Sequence, residues 1–345
     1  NNITDHAIEV GPHLKFLNKA SFVGCPNITS KGLVTLVSAQ SQLETLTIDR
    51  SHCSEELLRA ANDHEYLVNL HINDDGSALK GDTELDFTFY REFKIPNCKS
   101  FYVPASQFGI QLECLDASGC SEKWYPEVIK IIQKSQWLNS LTLQGIQFSP
   151  SLVNCISGKT YLKELDISNS TVSDSELKQL GKCVFLERIS LAGCQNISDF
   201  GIQCLCQSLD RRLFALTSVD ISGCNKLTDN GLSSIIEVSP MLESLTVSGN
   251  ITDSVVDLLS RKCVALCHVF FKGCPRLTNQ SLNSLSSCAL LSLHLENNVY
   301  FSTAGLSSIA SSTNLHYLRI INCPKISSLP SFPYLLDVET ALQLK

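Results

Sequence analysis

The sequence lacks any dense cluster of lysine and arginine, and its 27 basic residues are outnumbered by 34 acidic ones, for a net charge of −7. A nucleic-acid or anionic-membrane surface needs a concentrated cationic footprint, so the composition argues against both partners. Also missing is an apolar stretch of the roughly 18 to 20 residues that span a bilayer. The N-terminus shows no charged-then-apolar segment with a small-residue cleavage site, so the sequence as given carries no targeting address. Catalytic signatures are absent too: none of the eight histidines stands in an H-E-x-x-H, and there is no G-x-S-x-G or G-x-x-x-x-G-K-[ST]. An enzyme is not expected, and neither is a cofactor. The nearest approach to a metal set is Cys204, Cys206, Cys263, Cys267 and His268. Structural zinc usually takes paired C-x-x-C spacing, and Cys206 falls in a helical pattern, so these side chains are expected to pack.

What is present is length and apolar content. With 345 residues and 43% hydrophobic content, the chain can bury a large core, and two domains or a repeat array suit that length better than one compact domain. The 16 cysteines are spread along the chain within apolar patterns, which reads as reduced thiols rather than a disulfide framework and places the protein in the cytoplasm or nucleus. Glycosylation sequons at Asn2, Asn27, Asn169, Asn196, Asn250 and Asn279 mostly recur at one point of an internal repeat, and the repeat accounts for them.

That repeat has the frame L-x-x-L-x-L-x-x-C/N, filled by Leu216, Val219, Ile221 and Cys224. First positions recur at Leu17, Leu43, Leu67, Leu112, Leu138, Leu162, Leu186, Leu242, Leu266, Leu290 and Leu315. From Leu112 onward most steps are 24 to 26 residues, with one of 30 after Leu186. Alternation at Val219 and Ile221 predicts a short strand with one face inward and Ser218, Asp220 and Ser222 outward. The following "LTDNGLSSII" predicts a helix, with Thr228 as its cap, Asp229 complementing its dipole, and Leu232, Ile235 and Ile236 forming one buried stripe. Neither half buries its apolar face alone, so units must stack. Strands pair about 4.8 Å apart and helices pack about 8–10 Å apart, so the array should curve with strands concave and helices convex. Cys25, Cys120, Cys194, Cys224, Cys274 and Cys323 share the corner where the chain leaves the strand, where a thiol can donate to a carbonyl of the adjacent coil. Cys183, Cys263 and Cys288 form a second set near the helix end.

The pattern C-x-x-L-x-x-L-x-L-x-G-C-x-x-I-T-D-x-G-L, carried by "KCVFLERISLAGCQNISDFGI" at 182–202 and nearly by "KCVALCHVFFKGCPRLTNQSL" at 262–282, resembles the cysteine-containing leucine-rich repeat. The resemblance implies an α/β leucine-rich-repeat solenoid, a horseshoe of about 13 repeats forming a single domain over 1–345. It also implies a protein-interaction module like the substrate-recognition part of an F-box-type ubiquitin ligase adaptor. Such a module would hold a protein substrate on the concave face and engage a Skp1-like adaptor through a segment absent from this chain. An interaction scaffold or inhibitor with no ubiquitin link would show the same binding face.

The frame lapses over 73–111. There "NDDGSALKGDTELDFTFYREFK" at 73–94 lacks the capped helix, and "CKSFYVP" at 98–104 is the candidate degenerate strand. This stretch reads either as one divergent coil with a surface loop or as a loop that meets a partner. The N-terminus starts mid-repeat, at a capped helix, and 324–345, with Pro330 and Pro333, reads as a C-terminal cap. Along the outward strand positions, the middle coils offer small and acidic residues such as Asp116, Asp166, Ser190 and Asp220. The last coils differ, with His268, Phe270, Lys272, His294, Glu296, Tyr317 and Arg319 as the candidate partner-binding set, suited to an acidic segment. The competing expectation is that Phe270 merely covers its neighbour.

Overall fold

A computed structural model describes residues 3–9, 16–73, 90–96, 111–209, 216–312 and 314–341. The chain divides into two units, Asn1–Ile146 and Gln147–Lys345. In the first, the described strands β1 (Lys19–Ser21), β2 (Thr45–Asp49), β3 (Asn69–Asn73), β4 (Glu92–Lys94), β5 (Cys114–Asp116) and β6 (Ser140–Thr142) pair in sequence order, every pair parallel. Helices α1 (Asp5–Glu9), α2 (Ser30–Ala39), α3 (Glu55–Asn62) and α4 (Tyr125–Lys134) alternate with them.

The second unit repeats the plan. Its strands are β7 (Glu164–Asp166), β8 (Arg188–Ser190), β9 (Ser218–Asp220), β10 (Ser244–Ser248), β11 (His268–Lys272), β12 (Ser292–Glu296), β13 (Tyr317–Ile321) and β14 (Asp337–Ala341). They too pair in order and in parallel. α5 (Pro150–Ser157) precedes β7, and between the strands run α6 (Asp174–Leu180), α7 (Asp199–Leu209), α8 (Asp229–Val238), α9 (Asp253–Lys262), α10 (Asn279–Leu285) and α11 (Thr303–Ser312). The fold is an α/β leucine-rich-repeat solenoid, one strand and usually one helix per coil. The frame leucines and their equivalents, such as Leu242, Leu245 and Val247, are buried, as is the inner stripe of the helices, such as Leu232, Ile235 and Ile236 on α8.

The corner cysteines fasten one coil to the one before. Cys194 donates to the carbonyl of Ile167 at 3.2 Å, Cys224 to Leu191 at 3.0 Å, Cys274 to Val247 at 3.6 Å and Cys323 to Leu295 at 3.6 Å. In the first unit Cys120 donates to Ile95 at 3.7 Å, whereas Cys25 bonds within its own turn, to Val23. The second set does the same at the helix end, with Cys183 donating to Ile156 at 3.3 Å and Cys263 to Ser239 at 3.4 Å. Where Asn298 replaces the corner cysteine, its amide donates to Phe271 and Glu296 carbonyls and its Oδ1 accepts the Cys274 N–H.

The T-D-x-G segment has a wider role than capping. Thr228 does cap α8, accepting from the Asn230 N–H. Its own N–H and hydroxyl, however, are held by the Asp199 carboxylate of the preceding coil, at 2.9 and 2.6 Å. Asp229 does the same for Thr252, Asp174 for Ser198, and Asp253 for Thr278, so the first helical aspartate of one coil grips the cap of the next. The glycine follows from this. A Cβ at Gly201 or Gly231 would collide with the carboxylate of Asp174 or Asp199.

The structure adds to two sequence expectations. The irregular coil places its strand at β4, with Tyr90, Phe93 and Ile95 buried in the leucine positions, and β4 pairs with both β3 and β5. That ladder position is filled by 92–94, and the candidate strand at 98–104 lies outside the described residues. Residues 74–89 and 97–110, including most of the segment suspected of meeting a partner, lie outside the described residues. The C-terminal segment is more than a cap, because β14 adds a full strand in register with β13.

Candidate functional site

The outward strand positions of β10 to β14 align into three rows. Register places Thr246, Phe270, His294, Arg319 and Glu339 side by side. Flanking rows hold His268, Ser292, Tyr317 and Asp337 on one side and Lys272, Glu296 and Ile321 on the other. All seven residues expected to bind a partner therefore share one face over three adjacent strands. Cross-strand neighbours lie close enough to interact directly.

Their chemistry differs from the sequence reading in two respects. The Phe270 ring packs on His294 with centroids 4.1 Å apart and planes tilted by 59°, so Phe270 does cover its neighbour while keeping partial exposure. Burial holds His294 below the ordinary imidazole range, the Arg319 and His268 charges act the same way, and Glu339 opposes them. This environment favours the neutral form of His294. Arg319 Nε lies 3.0 Å from Glu339 Oε2, an ion pair that sequence reasoning missed because β14 was not recognised. Asp337 stands beside Tyr317 for the same reason. The signal was a spacing: Leu335 and Val338 fit the frame only 20 residues after Leu315 and Leu318. Tyr317 remains 49% exposed, the most open aromatic of the set.

The acidic residues of the other coils are bound internally. Asp166 Oδ1 accepts from the N–H and hydroxyl of Ser168 at 3.0 and 2.6 Å, and Asp220 and Ser222 repeat this at 2.9 and 2.7 Å. In the first unit Asp116 and Ser118 do the same. The D-x-S pattern thus stiffens the strand exit, leading into a left-handed residue such as Gly223 at φ +73°. Also in the first unit, His71 lies 3.2 Å from Glu92 and 3.5 Å from Thr47, and Asn73 donates to Asp49, which leaves a self-satisfied polar face. A further feature absent from the sequence reading is the residue just before the first leucine. It is large and exposed as Tyr66 and Trp137 in the first unit and as Tyr161, Phe185 and Met241 in the second.

Among the described residues, no group of three or more His, Cys, Asp or Glu side chains has metal-binding geometry, and Cys204 and Cys206 are buried in α7. No described helix is long and apolar enough to cross a membrane.

Comparison with known proteins finds the same repeat in one coil and similar folds among solved structures. The leucine-rich repeat family model matches residues 214–235, which take in β9 and the first part of α8. Among solved structures, the chain is similar to one in the crystal structure of the Rad7 and Elc1 complex in yeast, at 18% identity over 94% of this chain and 74% of that one, with a TM-score of 0.45. It is also similar to an internalin (inlF) from Listeria monocytogenes, at 17% identity over 99% and 90%, with a TM-score of 0.47. A chain of the Toll–Spatzle complex from Drosophila aligns at 12% identity over 83% of this chain and 41% of that one, with a TM-score of 0.46.

Proposed function

We propose that the protein is a protein-recognition module that acts by binding, without catalysis, and that its ligand docks on the strand face of β11 to β13. The observation that carries this reading is the register row Phe270, His294 and Arg319 with half-exposed Tyr317 beside it. Core packing does not require large aromatic and arginine side chains at outward positions, and these types are enriched at interface centres. His268, Lys272 and Glu296 supply the polar border. Because Arg319 is already paired with Glu339, the face is less cationic than its residue list suggests, and aromatic contact contributes more than charge.

The finer reading is the substrate-recognition part of an F-box-type ubiquitin ligase adaptor, working in the cytoplasm or nucleus, with a Skp1-like adaptor engaged outside this chain. Its support is the cysteine-containing form of the repeat, whose corner thiols each hold a carbonyl of the preceding coil in the second unit. The test is a titration with a partner recovered under reducing conditions. Phe270→Ala and Tyr317→Ala should weaken binding with the fold intact, while Asp166→Ala and Ser190→Ala should not. Stronger effects from the latter pair would displace the site. Failure of the full-length protein to co-purify with a Skp1-like adaptor would leave a scaffold or inhibitor in its place.

A further inference from the structure

Beside the strand face, the turns that follow the strands form a rim. In the second unit five described cations are matched, Lys163 with Glu187, Arg188 with Glu164, Arg261 with Asp257, Lys262 with Glu237 and Arg319 with Glu339, and the exposed Lys226, in the turn after β9, leads into a helix that opens with Asp229. Arg276 and Lys325, in the turns after β11 and β13, are exposed and take part in no described ion pair. Between them, in the turn after β12, Tyr300 is 49% exposed, and the Lys325 ammonium sits 4.6 Å from its ring centroid. Lys325 is fixed there by a parallel bridge to Ser302.

The carboxylates that line this rim in earlier coils stop at the same point. Asp174, Asp199, Asp229 and Asp253 open α6 to α9, but α10 opens with Asn279 and α11 with Thr303. Asn279 keeps the mechanical bond, accepting from the Ser302 N–H at 2.9 Å and donating to its hydroxyl at 2.8 Å, without the charge. A chain of net charge −7 thus leaves a short uncompensated cationic edge beside an exposed tyrosine.

We propose that this rim, Arg276, Tyr300 and Lys325, receives an acidic, aspartate- and glutamate-rich extended segment of the protein partner. The proposal rests on the reading that the partner docks at this end of the array. Single cations two strands apart, about 10 Å at ordinary strand spacing, match carboxylates distributed along an extended chain. A phosphate would call for several donors converging on one point. Tyr300 gives the segment an apolar surface between the charges.

The test uses the whole protein and a fluorescein-labelled decapeptide alternating glutamate and alanine, read by anisotropy at low and at physiological ionic strength. The glutamine counterpart and a phosphoserine counterpart serve as comparison probes. The glutamate peptide should bind and the glutamine peptide should not. The double variant Arg276→Glu, Lys325→Glu should weaken binding by at least about tenfold, and added salt should weaken the wild type similarly. The variant Lys178→Glu, Lys182→Glu, on and just after α6, should bind as the wild type does. Equal loss in that variant, no glutamate-peptide binding at low salt, or binding of the phosphoserine peptide alone would each overturn the proposal. The synthetic probe does not need the natural partner, so failure here is separable from failure of Phe270→Ala and Tyr317→Ala to weaken natural-partner binding.

Discussion

A thiol in a tight corner behaves as a small apolar side chain with one weak donor, and burial sets its reactivity. Burial pushes Cys183, Cys224, Cys263 and Cys274 up to about 12, so almost no thiolate exists at neutral pH. Thiol-labelling kinetics on the native protein should therefore be slow at these four and become fast on unfolding; rapid native labelling would refute the packing account. Cys224→Ser should destabilise by about 1–3 kcal/mol, because a stronger polar group enters an apolar corner. The check is a denaturant melt. His294 offers a second residue-scale measurement. Its folded pKa lies below its unfolded value of about 6.5, so the unfolded state binds more protons and stability falls as pH drops below that value. Titration followed by NMR should show the low pKa in the native protein. Arg319→Ala should raise it, since burial would then act without the adjacent cation.

At the scale of the element, the aspartate that opens each helix decides more than that helix. Asp199→Ala removes the partner of both the Thr228 N–H and its hydroxyl and should cost about 1–2 kcal/mol. Asp199→Asn should cost less, since Asn279 already fills this role. Gly231→Ala should be harmful alone and much less so in the Asp199→Ala background, a coupling that a double-mutant cycle measures. Burial raises Asp253, but hydrogen bonds from Ser281 and Thr278 outweigh it and leave its pKa depressed. The stability it contributes is present above the unfolded carboxylate value of about 4 and is lost as pH falls through the lower folded value. The frame, the strands and the caps were legible because apolar period and capping chemistry are local. The grip of Asp199 on Thr228 was not, because it joins residues 29 apart and depends on how coils stack. β4 was not read as a strand because aromatics stand in for leucine, and β14 was missed because its spacing is short.

For the whole molecule, the sequence showed which residues change character in the last coils, but not that Glu339 and Asp337 lie beside them. Neighbouring coils dominate the energetics of a solenoid, so a ligand held on β11 to β13 should protect locally. Hydrogen exchange of the complex should slow in amides of those strands and leave β7 to β9 unchanged. Protection centred on β7 to β9 would move the site. Truncating a central anchor typically costs about 2 kcal/mol or more, some thirtyfold in affinity, which sets the scale for Phe270→Ala.

The aspartate grip also bears on how the second unit would respond to a pulling force. Asp253 accepts from both the N–H and the hydroxyl of Thr278 and of Ser281, Asn279 makes two bonds to Ser302, and the Thr303 hydroxyl accepts from the Ser327 and Ser328 amides at 3.3 and 3.4 Å and donates to the Ser328 carbonyl at 3.1 Å. The fastenings lose the charge of the carboxylate toward the C-terminus, and charge-assisted hydrogen bonds are the stronger kind. Tension applied there should peel coils away singly, with β14 first at the lowest load. These last three grips join residues 23 to 25 apart, so each rupture there would release about 80 Å of chain. In an optical trap this would appear as a rising staircase, with the tallest step where the Asp253 grip gives way.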